Sequence, residues 1–183
     1  ASQHVKVVLG GDGSDELFAG YPTLTAHRIF LVYQKLFPNI FRSKVFPKLA
    51  HFLPASFNNI SFDFKLKRFL DGEGRSLLER HHCWLGSFTD QEKKALFKKE
   101  LHPALGNSFE PTYQHSKNCL AENDLNQILY NDLKMYLEGD ILFKVDRASM
   151  ANSLEVRVPF LNGRVLDNAM KMPLTLKLNR LTG

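Results

Sequence analysis

Side chains able to bind or move charge are concentrated in two short strings of this chain. The first is Gly10-Gly11-Asp12-Gly13-Ser14-Asp15-Glu16-Leu17-Phe18-Ala19-Gly20-Tyr21, which follows directly on the apolar run Val5-Lys6-Val7-Val8-Leu9. A glycine loop at the carboxyl end of a strand is where α/β sheets hold their ligands. Its glycines free the backbone for the tight turn such a loop needs. Asp12 and Asp15 offer hard oxygen ligands to a cation such as Mg2+, which takes one or two carboxylates and completes its shell with substrate phosphates. A carboxylate in this position could also act as a general base. A plainer role is open to the same residues: Asp15 and Glu16 would complement the dipole of a following helix, capped by Ser14 or Asp15.

The second string runs Lys144-Val145-Asp146-Arg147-Ala148-Ser149-Met150-Ala151-Asn152 and continues through Leu154-Glu155-Val156-Arg157-Val158-Pro159-Phe160-Leu161. Lys144, Asp146 and Arg147 fall at an expected helix start, beside the apolar Ile141-Leu142-Phe143. Charges so placed either form a structural ion-pair network or receive a charged ligand. Glu155 and Arg157 lie two apart, so extended backbone puts them on one face, where a salt bridge is the simplest outcome. Met150 is expected in the core.

These residues need a strand, a loop and helices to hold them. Val5–Leu9 is short, β-branched and apolar, which predicts a buried strand, and the glycine loop then leads into a helix. Nearly everything afterwards reads helical. Pro22 can open a helix through Leu36 with Ile29, Val32, Tyr33 and Leu36 on its buried face. Pro38, Pro47 and Pro54 then break the chain into short pieces. Helices follow over Phe62–Leu70 and Ser76–Leu85, and Thr89-Asp90-Gln91-Glu92 matches a capping box opening a helix to about Glu100. Residues 102–118, with Pro103, Gly106 and Pro111, read as a long loop. Leu125–Leu137 is the strongest helical stretch, with Ile128, Leu129, Asp132, Leu133 and Tyr136 at three- and four-residue spacings. Further helices are expected over Asp146–Asn152 and Arg164–Met172, the last before Pro173. A single strand cannot satisfy its own backbone groups. We therefore expect a chain that begins inside a sheet whose other strands lie upstream, and that is cut again at Arg180-Leu181-Thr182-Gly183. An intact small helical domain is the alternative.

Composition narrows the class without choosing a function. The chain has 183 residues, enough for one domain or a large part of one, with 44% hydrophobic and 23% charged residues. The charge of +5, from 24 basic and 19 acidic residues, is dispersed. Its densest group, Lys93, Lys94, Lys98 and Lys99, is interrupted by Ala95, Leu96 and Phe97 and reads as a solvated helix face. No basic stripe with interleaved aromatics points to nucleic acid. No apolar run approaches the roughly 18 residues of a membrane span. Cys83 and Cys119 lack the spacing of a disulfide framework or zinc site. A cytoplasmic protein is expected, and homo-oligomerisation is left open.

Both strings, in this order, resemble the synthetase domain of glutamine-dependent asparagine synthetases. Gly11-Asp12-Gly13-Ser14-Asp15-Glu16-Leu17-Phe18-Ala19-Gly20-Tyr21 is similar to the family's G-[ED]-G-[SG]-D-E-[LV]-F-x-G-Y loop. Lys144 to Ala151, with Glu155 to Leu161, is similar to its later signature. The likeness runs from about residue 5 to the end and is weakest between about 38 and 120. It implies a mostly α-helical fragment of an α/β ATP-pyrophosphatase (adenine nucleotide alpha hydrolase-like) domain. The implied substrates are aspartate, ATP and glutamine-derived ammonia, with Mg2+ on the phosphates. The resemblance places Asp15 on the metal and Asp12 in proton transfer from the attacking ammonia. Gly10, Gly11, Gly13 and Ser14 fall in the nucleotide and pyrophosphate loop, and Lys144, Asp146, Arg147, Glu155 and Arg157 become substrate-site candidates. Asp12 is one methylene shorter than the Glu common there, which weakens its reach as a base. The family's S-G-G-x-D-S phosphate loop, the glutaminase domain with its N-terminal cysteine, and a later catalytic lysine are not in these residues. We therefore expect an internal part of the synthetase domain, inactive alone. An amide-forming paralogue acting on another carboxylate, β-lactam synthetase-like or peptide-cyclising, is the nearest rival, and a non-catalytic scaffold the other. Unpaired acids in a glycine loop argue against the scaffold.

Overall fold

The computed structural model describes residues 1–52, 61–86 and 88–178. Pro54 and the terminal Arg180-Leu181-Thr182-Gly183, read above as a break and an end, lie outside the described residues. The chain forms two units, Ala1–Thr25 with His115–Gly183, and Ala26–Gln114. It is mostly helical, with one small parallel sheet.

In the first unit, β1 (Val7–Leu9) pairs in parallel with β2 (Glu155–Arg157), Val7 opposite Glu155, Val8 opposite Val156 and Leu9 opposite Arg157. This corrects the expectation of a strand without a partner in the chain. Glu-Val-Arg is three residues long and two-thirds charged, so nothing local marks it as a strand, and parallel partners are joined only through a long crossover. Side-chain alternation puts Val7, Leu9, Glu155 and Arg157 on one exposed face and the half-buried Val8 and Val156 on the other.

The glycine loop leads from β1 into α1 (Ser14–Phe18), five residues that pack against α8 (Asp124–Asn131), the turns that continue it and α10 (Gly163–Lys171). α8 is capped by Asn123, whose side chain accepts from the Asn126 N–H at 2.8 Å. It runs without a break through wide π turns over Asp132–Leu142 into α9 (Phe143–Met150), so Lys144, Asp146 and Arg147 sit inside a helical run and not at a helix start. Asp132 and Leu137 are both buried. Five residues apart on an α-helix they would diverge by roughly 140°; the i→i+5 bonding of π turns brings them toward one side. Leu133 and Tyr136, which share the three- and four-residue spacing, are half-buried. Met150 is 58% exposed, against its expected place in the core. A short α11 (Leu174–Lys177), not anticipated from sequence, follows Pro173. Leu17, Leu24, Ile128, Leu129 and Leu178 form the fully buried apolar centre of this unit.

The second unit holds most of α2 (Pro22–Leu36), then α3 (Phe46–His51), α4 (Phe62–Asp71), α5 (Leu77–Leu85), α6 (Asp90–Leu96) and α7 (Glu110–Ser116), which ends beyond it. α2 has the expected bounds but buries another face. Ile29, Val32 and Leu36 are 45%, 54% and 68% exposed, while Leu24, His27 and Phe30 are buried; of the expected face only Tyr33 turns inward, half-buried against Phe30, Phe46 and Phe69. The buried stripe carries a histidine, which a search for apolar spacing passes over. α5 supplies its partners: the Arg80 Nε donates to His27 Nδ1 at 3.2 Å, and His27 Nε2 meets His81 Nδ1 at 3.1 Å. Burial, with the His81 and Arg80 charges, pushes His27 down to about 2 from 6.5, so the ring is neutral. The Arg80 guanidinium also lies 4.3 Å from the centre of the Phe30 ring, which packs edgewise on Phe69 and Trp84.

Ser76 and Thr89 form the capping boxes of α5 and α6 with Glu79 and Glu92. α6 stops at Leu96, short of Glu100, and a 3₁₀ turn follows over Lys99–Ala104. Lys94, Lys98 and Lys99 are exposed, but only Lys93 and Lys94 lie on the helix, and Lys93 Nζ donates to the Gly106 carbonyl at 2.8 Å. α7 replaces part of the long loop expected over 102–118. Pro111 sits in its first turn, where a missing N–H costs nothing. Among the described residues, no helix is long and apolar enough to cross a membrane.

Candidate functional site

The parallel pair brings the two chemically loaded strings together. As β1 ends, the Gly10 N–H donates to the Arg157 carbonyl at 2.8 Å, extending the ladder by one bond into the loop. At the other end of β2, the Glu155 N–H donates to the Lys6 carbonyl at 2.9 Å. A Cβ on Gly10 would lie 2.8 Å from Asp12 Oδ2 and 3.1 Å from Val156 Cγ1, so the half-buried Asp12 carboxylate folds back over bare backbone. Gly13 takes φ +86°, a conformation that disfavours side chains, and a Cβ there would meet Leu161 Cδ2 at 2.7 Å. Phe160 packs edge-on against Phe18, ring centres 6.1 Å apart. The second string thus builds the floor on which the first one turns.

Gly13 is the N-cap of α1, and no side chain caps the helix. The expected cap by Ser14 or Asp15 is therefore not formed. The Ser14 N–H reaches back to the Gly11 carbonyl at 3.4 Å, and the Asp15 side chain is exposed. Gly11 is exposed with nothing near its Cα side. What the first string does bury is Glu16, 1% exposed. The Tyr21 hydroxyl donates to Glu16 Oε1 at 2.5 Å, and the Tyr21 ring lies edge-on to Tyr136, centres 5.7 Å apart. Burial raises the Glu16 carboxyl above its usual range, helped by the Asp132 and Asp15 charges and opposed by the Tyr21 hydrogen bond. Burial and the same Glu16 contact raise the Tyr21 hydroxyl. Glu16, Tyr21, Asp132 and Tyr136 were not singled out by sequence as site residues. The only local signal was an acid and a tyrosine five residues apart across a glycine.

The remaining candidates are solvent-facing. Arg157 Nε donates to Glu155 Oε1 at 2.7 Å, giving the salt bridge expected of residues on one strand face. Glu155 holds the Arg157 guanidinium above its ordinary range. Lys144 pairs with Asp140 at 3.5 Å, and the Arg147 guanidinium lies 5.1 Å from the centre of the Phe143 ring. α9 packs against β2, yet among the described residues no hydrogen bond or ion pair joins Lys144, Asp146 or Arg147 to the glycine loop. Lys144 and Arg147 therefore reach toward their own helix. Nor do three His, Cys, Asp or Glu side chains converge as a metal cluster among the described residues.

A parallel strand ending in a glycine turn, with one exposed and one half-buried carboxylate above it, can present oxygen ligands and an acceptor to a phosphate-bearing substrate. The family model described as asparagine synthase matches residues 1–183. A Bacillus subtilis (strain 168) protein, asparagine synthetase [glutamine-hydrolyzing] 1, is 33% identical over 97% of this chain and 26% of its own length. Putative glutamine-hydrolyzing asparagine synthetases of Mycobacterium bovis and Mycobacterium tuberculosis are 32% identical over the whole chain, again across 26% of their lengths. The chain thus spans about a quarter of the length of these curated relatives. No solved structure matches it significantly. The match of the family model over residues 1–183 shows that the chain belongs to the asparagine synthase family.

Proposed function

We propose that residues 1–183 are an internal part of the synthetase domain of a glutamine-dependent asparagine synthetase, built on an ATP-pyrophosphatase fold. One observation carries this reading: the Gly10–Arg157 bond and the Gly13–Leu161 contact assemble both signature strings at the carboxyl end of a parallel strand. That is where such folds receive nucleotides. In the proposed reaction an oxygen of the aspartate side-chain carboxylate attacks the α-phosphorus of ATP. The bond to pyrophosphate breaks, leaving an aspartyl adenylate. Glutamine-derived ammonia then attacks the activated carbonyl, and the carbon–oxygen bond to AMP breaks, forming the amide.

Within this scheme the glycine loop, Gly10 to Ser14, lies along the phosphates. The exposed Asp15 is the residue to hold Mg2+ and the half-buried Asp12 the one to accept a proton from the attacking nitrogen. A single carboxylate suits Mg2+, which takes one or two from a protein and completes its shell with phosphates and water. When bound, the ion would neutralise charge on the leaving pyrophosphate. Lys144, Asp146, Arg147, Glu155 and Arg157 stand as candidates for the rim of the substrate site.

The test follows pyrophosphate release from Mg-ATP and ammonia by the full-length protein, with and without aspartate, beside Asp15→Asn. Aspartate-dependent release that falls at least about a hundredfold in the variant is expected, the order of loss seen when one electrostatic partner of a transition state is removed. Release driven only by another carboxylate would assign the protein to an amide-forming paralogue. A folded protein that releases none with any acid would refute the ligase reading. Residues 1–183 alone are expected to release none, because the phosphate-loop motif S-G-G-x-D-S is not among them.

A further inference from the structure

Beside the exposed Asp15 lies a connection among Glu16, Gly20 and Tyr21, residues of the first string to which the proposed reaction gives no role. α1 is too short to be held by its own hydrogen bonds, and no side chain caps it. Its last turn is closed by backbone: the Asp15 carbonyl accepts from the Ala19 and Gly20 N–H groups, with Ala19 at φ +62°. The return of the chain over Gly20 leaves no room for a side chain there, since a Cβ would overlap the Asp15 carboxylate. The next residue, Tyr21, sends its hydroxyl back to the buried Glu16, and its ring is seated on Tyr136. The segment from Asp15 to Tyr21 is thus tied at both ends, with Glu16 turned inward and Asp15 outward.

We propose that Glu16, Gly20 and Tyr21 form a clasp that positions Asp15, with Glu16 and Tyr21 as positioning residues of the site. This rests on the proposed function for what Asp15 does, but the clasp itself rests on contacts within the chain. Adjacent helical residues point about 100° apart; Glu16 and Leu17 are both buried, and Asp15, roughly 160° from Leu17 on the helix, is left on the outward side. The Tyr21 hydroxyl holds Glu16 in that orientation, and the bare Gly20 lets the Asp15 carboxylate lie against the turn. A displacement of about 1 Å in a catalytic group can cost a hundredfold in rate, which makes such a tie consequential.

The experiment is a double-mutant cycle in the full-length protein, with Asp15→Asn, Tyr21→Phe and the two combined. Two readouts are taken: Mn2+ binding in the presence of ATP, followed by electron paramagnetic resonance, and kcat and KM for pyrophosphate release. Tyr21→Phe keeps the ring against Tyr136 and removes only the hydroxyl. It is expected to weaken Mn2+ binding about fivefold and lower kcat about tenfold, with KM for aspartate unchanged. In the Asp15→Asn background the same substitution should change neither metal binding nor rate. Glu16→Gln, which can still accept the Tyr21 hydroxyl, should stay within about twofold of the parent, whereas Glu16→Leu should match Tyr21→Phe. Equal losses in both Asp15 backgrounds, or no loss in either, would overturn the clasp. Failure of the unmodified protein to release pyrophosphate would instead remove the functional reading and leave the metal-binding arm to decide the clasp.

Discussion

Replacing Gly13 by alanine adds one methyl group at the point where the two strings touch. Two costs combine there. Gly13 sits at φ +86°, where a β-carbon costs about 1–2 kcal/mol. The new Cβ would also stand 2.7 Å from Leu161 Cδ2 and 3.3 Å from Leu161 Cγ, with Leu137 Cδ2 at 3.6 Å behind it. Overpacking of this kind costs about 1–3 kcal/mol. The nearest atom is the end of a flexible side chain, which favours the lower half of that range and a total near 2–4 kcal/mol. For a chain of this size each kcal/mol lowers Tm by about 2–4 °C, so Gly13→Ala should melt roughly 4–16 °C below the parent. Two controls separate the terms. Gly74 has φ +75° with open space around it, so Gly74→Ala should show the backbone cost alone, about 1–2 kcal/mol. Gly11 has neither a positive φ nor a neighbour, and Gly11→Ala should stay within about 0.5 kcal/mol. Urea and thermal unfolding followed by far-ultraviolet circular dichroism would rank the three. If Gly13→Ala equals Gly74→Ala, the Leu161 contact contributes nothing; if it equals Gly11→Ala, the backbone argument fails too. A Leu161→Ala partner should make the pair less than additive, as contacting residues are.

The buried ring of His27 is expected to stay neutral well below its ordinary pKa, which nitrogen chemical shifts down to pH 4 would show; an imidazolium above pH 5 would contradict the network with Arg80 and His81. Because the folded-state pKa is depressed, to about 2 from 6.5, the contribution to stability is complete above pH 6.5 and is lost as pH falls, at about 1.4 kcal/mol per pH unit. His82, also held down by burial, adds in the same direction, so stability of the parent should fall more steeply below pH 6 than that of His27→Gln. At the capping boxes, Ser76→Ala and Thr89→Ala should each cost about 1 kcal/mol in urea unfolding, and two unchanged midpoints would mean that water replaces the side chains.

The sequence alone located β1, though as a buried strand where Val7 and Leu9 are in fact exposed, the glycine turn, α2 to the residue, the starts of α5 and α6 with the capping box at Thr89, and both strings that carry the family resemblance. Those features are local: a β-branched run, a Pro at a first turn, Thr three residues before Glu, glycines among carboxylates. Each is dictated by the backbone and side chains within one or two turns. The salt bridge of Glu155 with Arg157 was legible for the same reason, since side-chain alternation along extended backbone needs no tertiary information. α7 was missed because Pro111 looks the same in a loop as in the first turn of a helix.

Tertiary structure decided the rest. Which stripe of α2 is buried depended on α5 offering an arginine and a histidine to His27, a polar match that apolar periodicity does not register. Glu-Val-Arg became a strand only because β1 was there to pair with it. The π turns over Asp132–Leu142 changed the spacing that brings Asp132 and Leu137 inward. At the site, sequence named Asp12 and Asp15, but the burial of Glu16 beneath them and its tie to Tyr21 appear only once the chain has returned over Gly20. Propensity and spacing act over a few residues; register, burial and the pairing of buried polar groups are set by partners that sequence places far away.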